Sequence, residues 1–584
     1  MSQVVYRGNL SAKSFPFLSH NFGRSVIVPG QDQNYVRTAF STEDLDKDKG
    51  IPQIYYCHNV MPHQEGLQAV GYKQVLPAAP GGVTGFDQIF LLRDFADNKA
   101  YLGVVSTPTT NDTYICDGIG GSWVFKQHGP PGLVSVAYIS GLAYFFIEGT
   151  GCYFYNFVTT YFEAVPLTGL TIANIKGICA AAGYLIAWTK GIPGIAFTNN
   201  ITVGTNTIGI GSVTGFVVGQ VINGTGIPVS TVITAVDYTS HFIALSNLIT
   251  ASGTSVPMTV DPSASAVLWS SAIDPTDFVP SAVTGAGGGP VEAAKGVINY
   301  CVPHTLGFII GTADNCIAAL YQNNSQYPFQ FRELVNSGGM TTLDLVTWDA
   351  NSAGLYAYTT SGLQLINTQQ TQTVFTEITD FISGSNFEDF DDSTKTFIRT
   401  ELTGAMQKKL AVIADRYLVM SYGVSSLTHA IVLDLVSKRY GKLKIDHVQS
   451  FTYHLAAGTT LEVPRQSFAF LKTDGSVYTV DFDIASLGLN GTLILGKYQY
   501  VRARLMTLDQ ISIESVRPAQ VMNLTVMTSL DGKSTSNSTP TLLASPDIAR
   551  DYGCRATGIN HSLLFQGAFM LNSLVLTFNI HGKR

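Results

Sequence analysis

Four carboxylates that could do chemistry lie within five consecutive positions: Glu388, Asp389, Asp391 and Asp392. Paired carboxylates can hydrolyse glycosidic bonds or bind calcium, although the spacing of an EF-hand loop is absent here. The interleaved aromatic residues predict an exposed loop that leads into a short helix within residues 395–406, whose dipole would favour the negative charges. Besides this structural role, we predict that the four residues form a channel or contact loop of an assembly.

No other pattern in the sequence meets the requirements of a catalytic or cofactor site. The glycine-rich residues 285–290 end in a proline and lack the Lys-Ser/Thr pair of a phosphate-binding loop, so they predict a flexible turn. The 11 histidines form no H-E-x-x-H pattern, and no G-x-S-x-G elbow occurs. Asp-Gly pairs at 474–475 and 531–532 lack the following Trp of sialidase turns and favour two-residue hairpins. The sequence therefore predicts no enzyme, no cofactor and no metal site.

Composition indicates a folded and weakly acidic protein. The 584 residues are 45% hydrophobic and 13% charged, with 32 Phe and 27 Tyr, whereas disordered chains are highly charged and poor in aromatics. The formal charge of −7 disfavours tight binding to nucleic-acid phosphates. Seven scattered cysteines, never spaced as C-x-x-C, predict reduced thiols in the core. Because we find neither a secretory leader pattern nor an apolar run of about 20 residues, we expect no export by that route and no membrane span.

The elements that must position any site are predicted to be β-strands. Short runs rich in Val, Ile, Tyr, Phe and Thr alternate apolar with polar positions and are separated by Gly, Asn and Asp. From residue 54 onward, groups of such runs recur at roughly 40–50 residues, the length of a four-stranded propeller blade. Radial blades also avoid the exposed edges of one long sheet. We therefore predict an all-β fold containing a β-propeller of six or seven blades.

Two segments depart from this repeat and define the predicted domains. Residues 198–262 are rich in Gly, Thr and Val and nearly uncharged, which predicts a small β module inserted between blade strands. Longer strands near the end of the chain predict a C-terminal β-sandwich. The predicted organisation is an N-terminal arm (1–53), a first propeller part (54–197), the inserted module (198–262), a second propeller part (263–485) and the sandwich (486–584).

Four stretches of the sequence can be compared with a known family: residues 266–278, which read AVLWSSAIDPTDF, and residues 59–72, 306–339 and 529–532. The first is similar to a W-S-x-x-x-D-P-T-D-[WF] stretch of the tail nozzle or hub proteins of short-tailed bacteriophages, a group that includes packaged-DNA stabilisation proteins. The others resemble that family's entry strand, one of its blades and a turn of its terminal sandwich. In layout, the resemblance covers most of residues 54–580.

The resemblance implies a structural protein of the phage tail, made in the host cytoplasm and built into the virion as a ring of six copies. It implies contacts with the tail adaptor and portal complex and with tail fibre or spike proteins. The ring would retain packaged double-stranded DNA and conduct it outward through its lumen without sequence-specific binding, and a weakly acidic lumen would not hold a polyanion. Two alternatives stay open, a receptor- or glycan-binding propeller and a polysaccharide hydrolase.

Overall fold

Strands dominate the part of the chain that the computed structural model describes. It describes residues 3–9, 54–63, 66–93, 99–116, 122–129, 131–189, 195–211, 216, 220–237, 240–261, 265–291, 293–295, 297–323, 328–349, 354–375, 379, 386–391, 396–401, 407–436, 439–454, 466–482, 491–498, 505–514, 520–530, 536–537, 541–545, 549–571 and 573–580. Five strands precede the first blade: β1 (Gln3–Asn9), β2 (Ile54–His58), β3 (Val60–His63), β4 (Gly66–Ala69) and β5 (Gly71–Leu76). Short 3₁₀ helices at Pro80–Gly82, Ile172–Asn174 and Leu343–Leu345 interrupt the strands.

Among the described residues, seven antiparallel blades of four strands each follow, and we number them 1 to 7. Blade 1 contains β6 (Phe86–Arg93), β7 (Lys99–Ser106), β8 (Asn111–Cys116) and β9 (Val124–Gly129), and blade 2 contains β10 (Val134–Ile139), β11 (Leu142–Ile147), β12 (Gly151–Asn156) and β13 (Tyr161–Val165). Blade 3 begins with β14 (Ile175–Ala181) and β15 (Tyr184–Thr189). The chain then forms the inserted module, with β16 (Ile195–Ile201), β17 (Thr207–Gly209), β18 (Ile222–Gly224), β19 (Ile233–Asp237), β20 (Phe242–Leu245) and β21 (Gly253–Val260). It returns to complete blade 3 with β22 (Ala266–Trp269) and β23 (Gly287–Pro290).

The second half of the propeller repeats this plan. Blade 4 contains β24 (Ile298–His304), β25 (Gly307–Thr312), β26 (Cys316–Tyr321) and β27 (Phe329–Glu333), and blade 5 contains β28 (Val346–Asp349), β29 (Gly354–Thr359), β30 (Gly362–Ile366) and β31 (Thr371–Thr373). The hairpin β32 (Asn386–Asp391) and β33 (Thr396–Glu401) precedes blade 6, which contains β34 (Gln407–Ile413), β35 (Tyr417–Gly423), β36 (Leu427–Asp434) and β37 (Arg439–His447). Blade 7 contains β38 (Gln449–His454), β39 (Gln466–Leu471) and β40 (Val477–Asp481) and takes its fourth strand from β5.

Hydrogen bonds between successive blades close these sheets into a ring. The first strand of each blade has a free edge toward the axis, where backbone N–H groups need partners from elsewhere. Between blades 2 and 3, Ser135 Oγ accepts the Ile178 N–H at 3.0 Å, and between blades 7 and 1, Gln449 Oε1 accepts the Ile89 N–H at 2.9 Å. The other seams are joined by Tyr138 Oη to Leu91 O, Ile298 N to Ser265 Oγ, Asn299 Nδ2 to Met340 O, Val412 N to Thr347 Oγ1 and Ala414 N to Thr452 Oγ1. Because β5 precedes blade 1 in sequence but pairs with β40 in blade 7, the two ends of the propeller are held together.

The C-terminal strands form a β-sandwich that is continuous with blade 6. They are β41 (Gly491–Tyr498), β42 (Met506–Glu514), β43 (Gln520–Ser529), β44 (Ser536–Asn537), β45 (Thr541–Ser545), β46 (Ala549–Gly558), β47 (Asn560–Gly567), β48 (Met570–Leu571) and β49 (Ser573–Ile580). One sheet has the order β1-β49-β42-β46, and the other has the order β2-β41-β47-β43-β44, with β45 also on β43. Blade 6 continues outward through β3, β4 and β48 into a single seven-stranded sheet. Leu433 of blade 6 and Phe565 of the sandwich belong to the same buried cluster.

The inserted module has a hydrophobic core of its own. Its sheets are β16-β21-β18 and β17-β20-β19. Ile222, Ile233 and Ile243 are fully buried in a cluster that contains only module residues among those described. The interruption leaves blade 3 intact, because β15 and β22 still pair directly across it.

The predicted fold class is confirmed: the described strands form a β-propeller, of seven blades, with an inserted β module and a C-terminal β-sandwich. The structure also assigns β2, which lies in the range predicted for the first propeller part, to a sandwich sheet. Within the range predicted as an arm, β1 pairs with β49 in the other sandwich sheet. Strands from both ends of the chain therefore build the sandwich.

Two local predictions are wrong. The predicted helix within 395–406 is instead strand β33, paired with β32, because Phe397, Ile398 and the flanking threonines favour the extended backbone. The glycine-rich segment 285–290 includes the outer strand β23 and is not simply a flexible turn. A Cβ at Gly288 would lie 2.5 Å from the carbonyl oxygen of Val267, so glycine is required here by the close approach of the neighbouring strand.

The cysteines lie where small apolar residues were predicted. All seven are free thiols; six are buried, and Cys554 is half-buried. Burial raises the pKa of Cys57 and of Cys316 to about 12. These two thiols therefore stay protonated and unreactive at neutral pH.

Candidate functional site on the connection face

Strand direction assigns each link between strands to one end of the propeller axis. Neighbouring strands within a blade are antiparallel, so the direction of the chain alternates from strand to strand. The loop between the second and third strands and the loop to the next blade therefore lie at the end of the propeller where each first strand begins. We call this end the connection face and the opposite end the turn face. The inserted module interrupts blade 3 between its second and third strands, and the hairpin β32–β33 lies in the link from blade 5 to blade 6. Both additions therefore begin on the connection face.

One lysine links three blades at this face. Lys409, near the start of β34, places its Nζ 3.5 Å from Asp344 Oδ1, in the 3₁₀ helix before blade 5. The same ammonium donates to the backbone oxygen of Asp87 in blade 1, at 3.4 Å. One side chain thus links blades 5, 6 and 1 where the first strands of these blades begin. We call Lys409, Asp344 and Asp87 the axial mouth.

Two further lysines lie near the start of the first strand of a blade and rest on aromatic rings. Lys176 of blade 3 donates from Nζ to Asn299 Oδ1 at 3.3 Å and lies 6.0 Å from the ring centre of Tyr300 in blade 4. Lys408 lies 5.0 Å from the ring centre of Tyr358, and burial lowers its pKa. Cations over aromatic faces are stabilised electrostatically. Sequence reasoning missed this group of lysines; the available signal was adjacent lysines at the start of a strand in a charge-poor chain.

The predicted acidic loop is a strand on the same face. Glu388, Asp389 and Asp391 lie on β32, opposite Arg399, Ile398 and Thr396 of β33. Asp392 lies outside the described residues. The hairpin ends at Glu401, and β34 begins at Gln407, immediately before Lys408 and Lys409. Chain connectivity therefore brings the acidic strand into the link that leads to the axial mouth, and its role in a channel or contact stays a prediction.

The segment that carries the most specific family resemblance has a structural role. Trp269 is buried and donates from Nε1 to the Gly285 backbone oxygen at 2.8 Å. Asp274 Oδ1 accepts the N–H of Thr276 at 2.8 Å, which fixes the turn after β22. Phe278 is buried, and its N–H donates to Thr168 O at 2.8 Å in the link from blade 2 to blade 3. These residues hold two blades together and point to no reacting group.

A buried histidine lies between blades 6 and 7. His447 donates from Nδ1 to Ile445 O at 2.7 Å, and its Nε2 accepts from Ser421 Oγ at 2.8 Å. Burial lowers the pKa of His447 to about 4, partly opposed by the hydrogen bond to Ile445 and assisted by the charge of Lys409. The ring is therefore neutral at physiological pH. Since both of its nitrogens are occupied by protein groups, it serves the packing of this seam.

The described residues contain no group of three or more His, Cys, Asp or Glu side chains placed to hold a metal ion. Within the same residues, no helix is long and apolar enough to span a membrane.

No family model matches the chain, and no curated protein matches it. Among solved structures, YCF48 bound to a D1 peptide is 10% identical, with 70% of this chain and 94% of that chain covered and a TM-score of 0.33. A luciferin-regenerating enzyme is 10% identical, with 70% of this chain and 95% of that chain covered and a TM-score of 0.27. The dihydro-heme d1 dehydrogenase NirN is 10% identical, with 82% of this chain and 79% of that chain covered and a TM-score of 0.25. Likenesses this weak carry no argument about function, and the propeller rests on the hydrogen-bonded ring of this chain itself.

Proposed function

We propose that this chain is a structural subunit of a bacteriophage tail. Six copies form a nozzle or hub ring that binds the tail adaptor and portal complex and contacts fibre or spike proteins. The ring retains packaged double-stranded DNA and conducts it during ejection. The role is mechanical, so no covalent bond is made or broken.

The observation that carries this proposal is the rigid joining of propeller and sandwich. The seven-stranded sheet of blade 6 extends from the propeller to β48, next to the sandwich. A single hydrophobic cluster contains buried residues of both blade 6 and the sandwich. Such a subunit keeps a fixed shape under load, because moving one part against the other would break paired strands and expose core residues. A ring that holds back packaged DNA requires subunits of this kind.

The axial mouth indicates where the DNA would pass in this proposal. Lys409 reaches both Asp344 and the Asp87 backbone oxygen, so it links blades 5, 6 and 1 at the connection face. A DNA duplex, whose major groove alone is about 12 Å wide, cannot pass through an opening spanned by one side chain. The conduit is therefore the lumen between copies. The net charge of −7 suits a lumen that DNA slides through without being held.

Imaging the purified protein by negative-stain electron microscopy tests the proposal. We expect six-fold rings with a central hole, and we expect added protein to restore DNA retention to phage particles assembled without it. Monomers at all concentrations, together with no effect on such particles, would overturn it. Replacing Glu388, Asp389, Asp391 and Asp392 by Ala tests their predicted channel role separately, because unchanged DNA retention and ejection would remove it.

A receptor- or glycan-binding role is the second candidate, and one exposed surface favours it. Tyr161 at the start of β13 is 63% exposed, and Lys126 Nζ of blade 1 lies 5.8 Å from its ring centre. Exposed aromatic rings can stack on sugars, as rings with one wet face do at interfaces. Glycan-array binding that is lost in Tyr161→Ser, by a protein that forms no rings, would favour this role.

A further inference from the structure

An apolar cleft lies at the seam between blades 1 and 2. Four of its residues come from blade 2 and three from blade 1: Phe145, Ile147, Tyr153, Phe162, Thr113, Gln127 and Gly129. The cleft encloses about 270 Å³, including space that is open to solvent. Pockets for drug-sized ligands measure about 300–1,000 Å³, so this cleft has room for one ring. We call these seven residues the seam cleft.

The shape of the seam cleft is fixed by packed rings and by a missing side chain. The ring centres of Phe145 and Phe162 lie 5.8 Å apart, and those of Phe162 and Tyr155 lie 5.3 Å apart. On blade 1, Gly129 adds no atoms beyond the backbone, whereas a Cβ there would lie 3.3 Å from Ile147 Cδ1. Since these rings are already packed against one another, a ligand would not have to order them.

Polar groups lie beside the apolar lining. Gln127 is exposed, and its side-chain amide makes no hydrogen bond within the described part of the chain. The residue before it, Lys126, places its Nζ 5.8 Å from the ring centre of Tyr161, which directly precedes Phe162. The Lys126 side chain therefore crosses from blade 1 to blade 2 next to the cleft and brings one positive charge to its side.

The two carboxylates on the strands that flank the cleft already have partners. Glu163 Oε1 on β13 accepts from Asn156 Nδ2 at 2.7 Å. Asp112 Oδ1 on β8 lies 2.8 Å from His128 Nδ1. Among the described residues, Lys126 has no ion pair. Its charge is therefore available to a ligand.

We propose that the seam cleft binds a small molecule with one apolar ring and one carboxylate. The ring packs against Phe145 and Phe162, and the carboxylate lies next to Lys126. An apolar ring suits this lining, because sugar hydroxyls buried against phenylalanine rings would lose water without gaining hydrogen bonds. A carboxylate suits Lys126, because opposite charges attract more strongly where the protein excludes part of the water. One folded copy is enough for binding, so this site goes beyond the ring proposed above and does not depend on it.

Binding of phenylacetate to the full chain, followed by NMR of its isoleucine methyl groups, tests this. We expect the Ile147 Cδ1 resonance to shift saturably, with a dissociation constant on the order of 1 mM for a ligand of about ten heavy atoms. The Ile243 resonance of the inserted module should stay unchanged. Lys126→Gln should weaken binding about fivefold, and the uncharged phenylacetamide should bind the wild type with a similar loss.

Lys472→Gln is the matched control. Lys472 Nζ lies 4.3 Å from the ring centre of Tyr478, which is the same kind of contact, but neither residue lines the cleft. This variant should bind phenylacetate like the wild type.

Each outcome bears on one part of the proposal. Phenylacetate binding that depends on Lys126 supports it, whether or not the protein forms rings. No saturable shift at Ile147 overturns the site, and equal affinity in Lys126→Gln overturns the role of the carboxylate. Glucuronate that binds more tightly than phenylacetate overturns the ligand class and supports the glycan-binding role instead. Because the measurement does not require assembly, failure here leaves the proposed ring in place.

Discussion

Blade 3 and blade 6 both carry an addition, but they carry it in opposite ways. In blade 3 the added residues enter at a link between strands, and the strands on either side still pair, at Ala187 and Leu268. In blade 6 the added strands continue the sheet from its outer edge, beginning where Val60 of β3 pairs with Lys442 of β37. The first addition has a core of its own, whereas the second shares one with the blade.

The difference shows how the place of an addition determines its energetic coupling. A module inserted at a link replaces a turn, so no blade hydrogen bond depends on it. Strands added at an edge use the blade's own N–H and C=O groups, and the side chains of both parts then pack on one another. We therefore expect blade 6 and the sandwich to unfold together and the module to unfold separately.

The largest expected effect is on the shared core. Phe565 on β47 is fully buried in the cluster that also contains Leu433 of blade 6. Phe565→Ala should lower the free energy of unfolding by about 3–5 kcal/mol, since it removes buried area and leaves a cavity. Calorimetry should show the joint transition of propeller and sandwich moving to lower temperature. The control Leu530→Ala, at a side chain 61% exposed, should change stability by less than about 0.5 kcal/mol.

A substitution of the same kind in the module should act on the module alone. Ile243 is fully buried in the module core, and Ile243→Ala should destabilise the module by about 2–5 kcal/mol. Hydrogen exchange should speed up in residues 195–260 and stay unchanged in blade 3. Faster exchange in β14 and β15 as well would contradict the separation of the two cores.

Acid should weaken the blade 6 region. The pKa of His447 is about 4 in the folded protein, against an ordinary value of 6.5, so only the unfolded chain takes up this proton between those values. The free energy of unfolding should therefore fall as the pH drops from 6.5 to 4, and the protonation of His447 should account for about 3 kcal/mol of this decrease. Below pH 4 this histidine is protonated in both states and should cause no further decrease. The pKa of the buried His561 in the sandwich is lowered by burial as well, which acts in the same direction.

His447→Gln removes the titrating group and isolates its effect. Urea unfolding at several pH values between 7 and 4 should give a shallower decline for this variant than for the wild type. Parallel declines in the two proteins would show that His447 does not contribute to acid sensitivity.

The smallest expected effect is at the seam between blades 5 and 6. Thr347 Oγ1 accepts the Val412 N–H at 2.7 Å. Thr347→Val keeps the shape but leaves this N–H unpaired, which should cost about 1–2 kcal/mol of stability. Thr347→Ser keeps the hydroxyl and should stay within about 0.5 kcal/mol of the wild type. Equal losses in both variants would assign the effect to packing instead of the hydrogen bond.

The alternating Val, Ile, Tyr and Phe positions were enough to predict strands, blades and the inserted module, because alternation reports directly which side of a strand is buried. The segment 386–401 was harder, since its carboxylates match a helix start while Phe397 and Ile398 favour a strand. Pairing between β32 and β33 decides between them, and no local pattern encodes pairing. The lysines near the starts of β14 and β34 were missed for a related reason: Lys176 and Lys409 lie more than two hundred residues apart in the sequence.

The sequence by itself determined that this is an all-β protein with repeated sheets, a nearly uncharged insertion and no recognisable catalytic motif, because composition and strand periodicity are properties of neighbouring residues. Only the tertiary structure decided that the described strands form seven blades, that β5 closes the ring, and that β1 and β2 join a sandwich formed mostly by the C-terminal strands. Those features depend on which distant strands share hydrogen bonds. The pairing of distant strands is favoured because it leaves few strand edges exposed and buries apolar surface over the whole molecule. It therefore cannot be predicted from any short stretch of sequence.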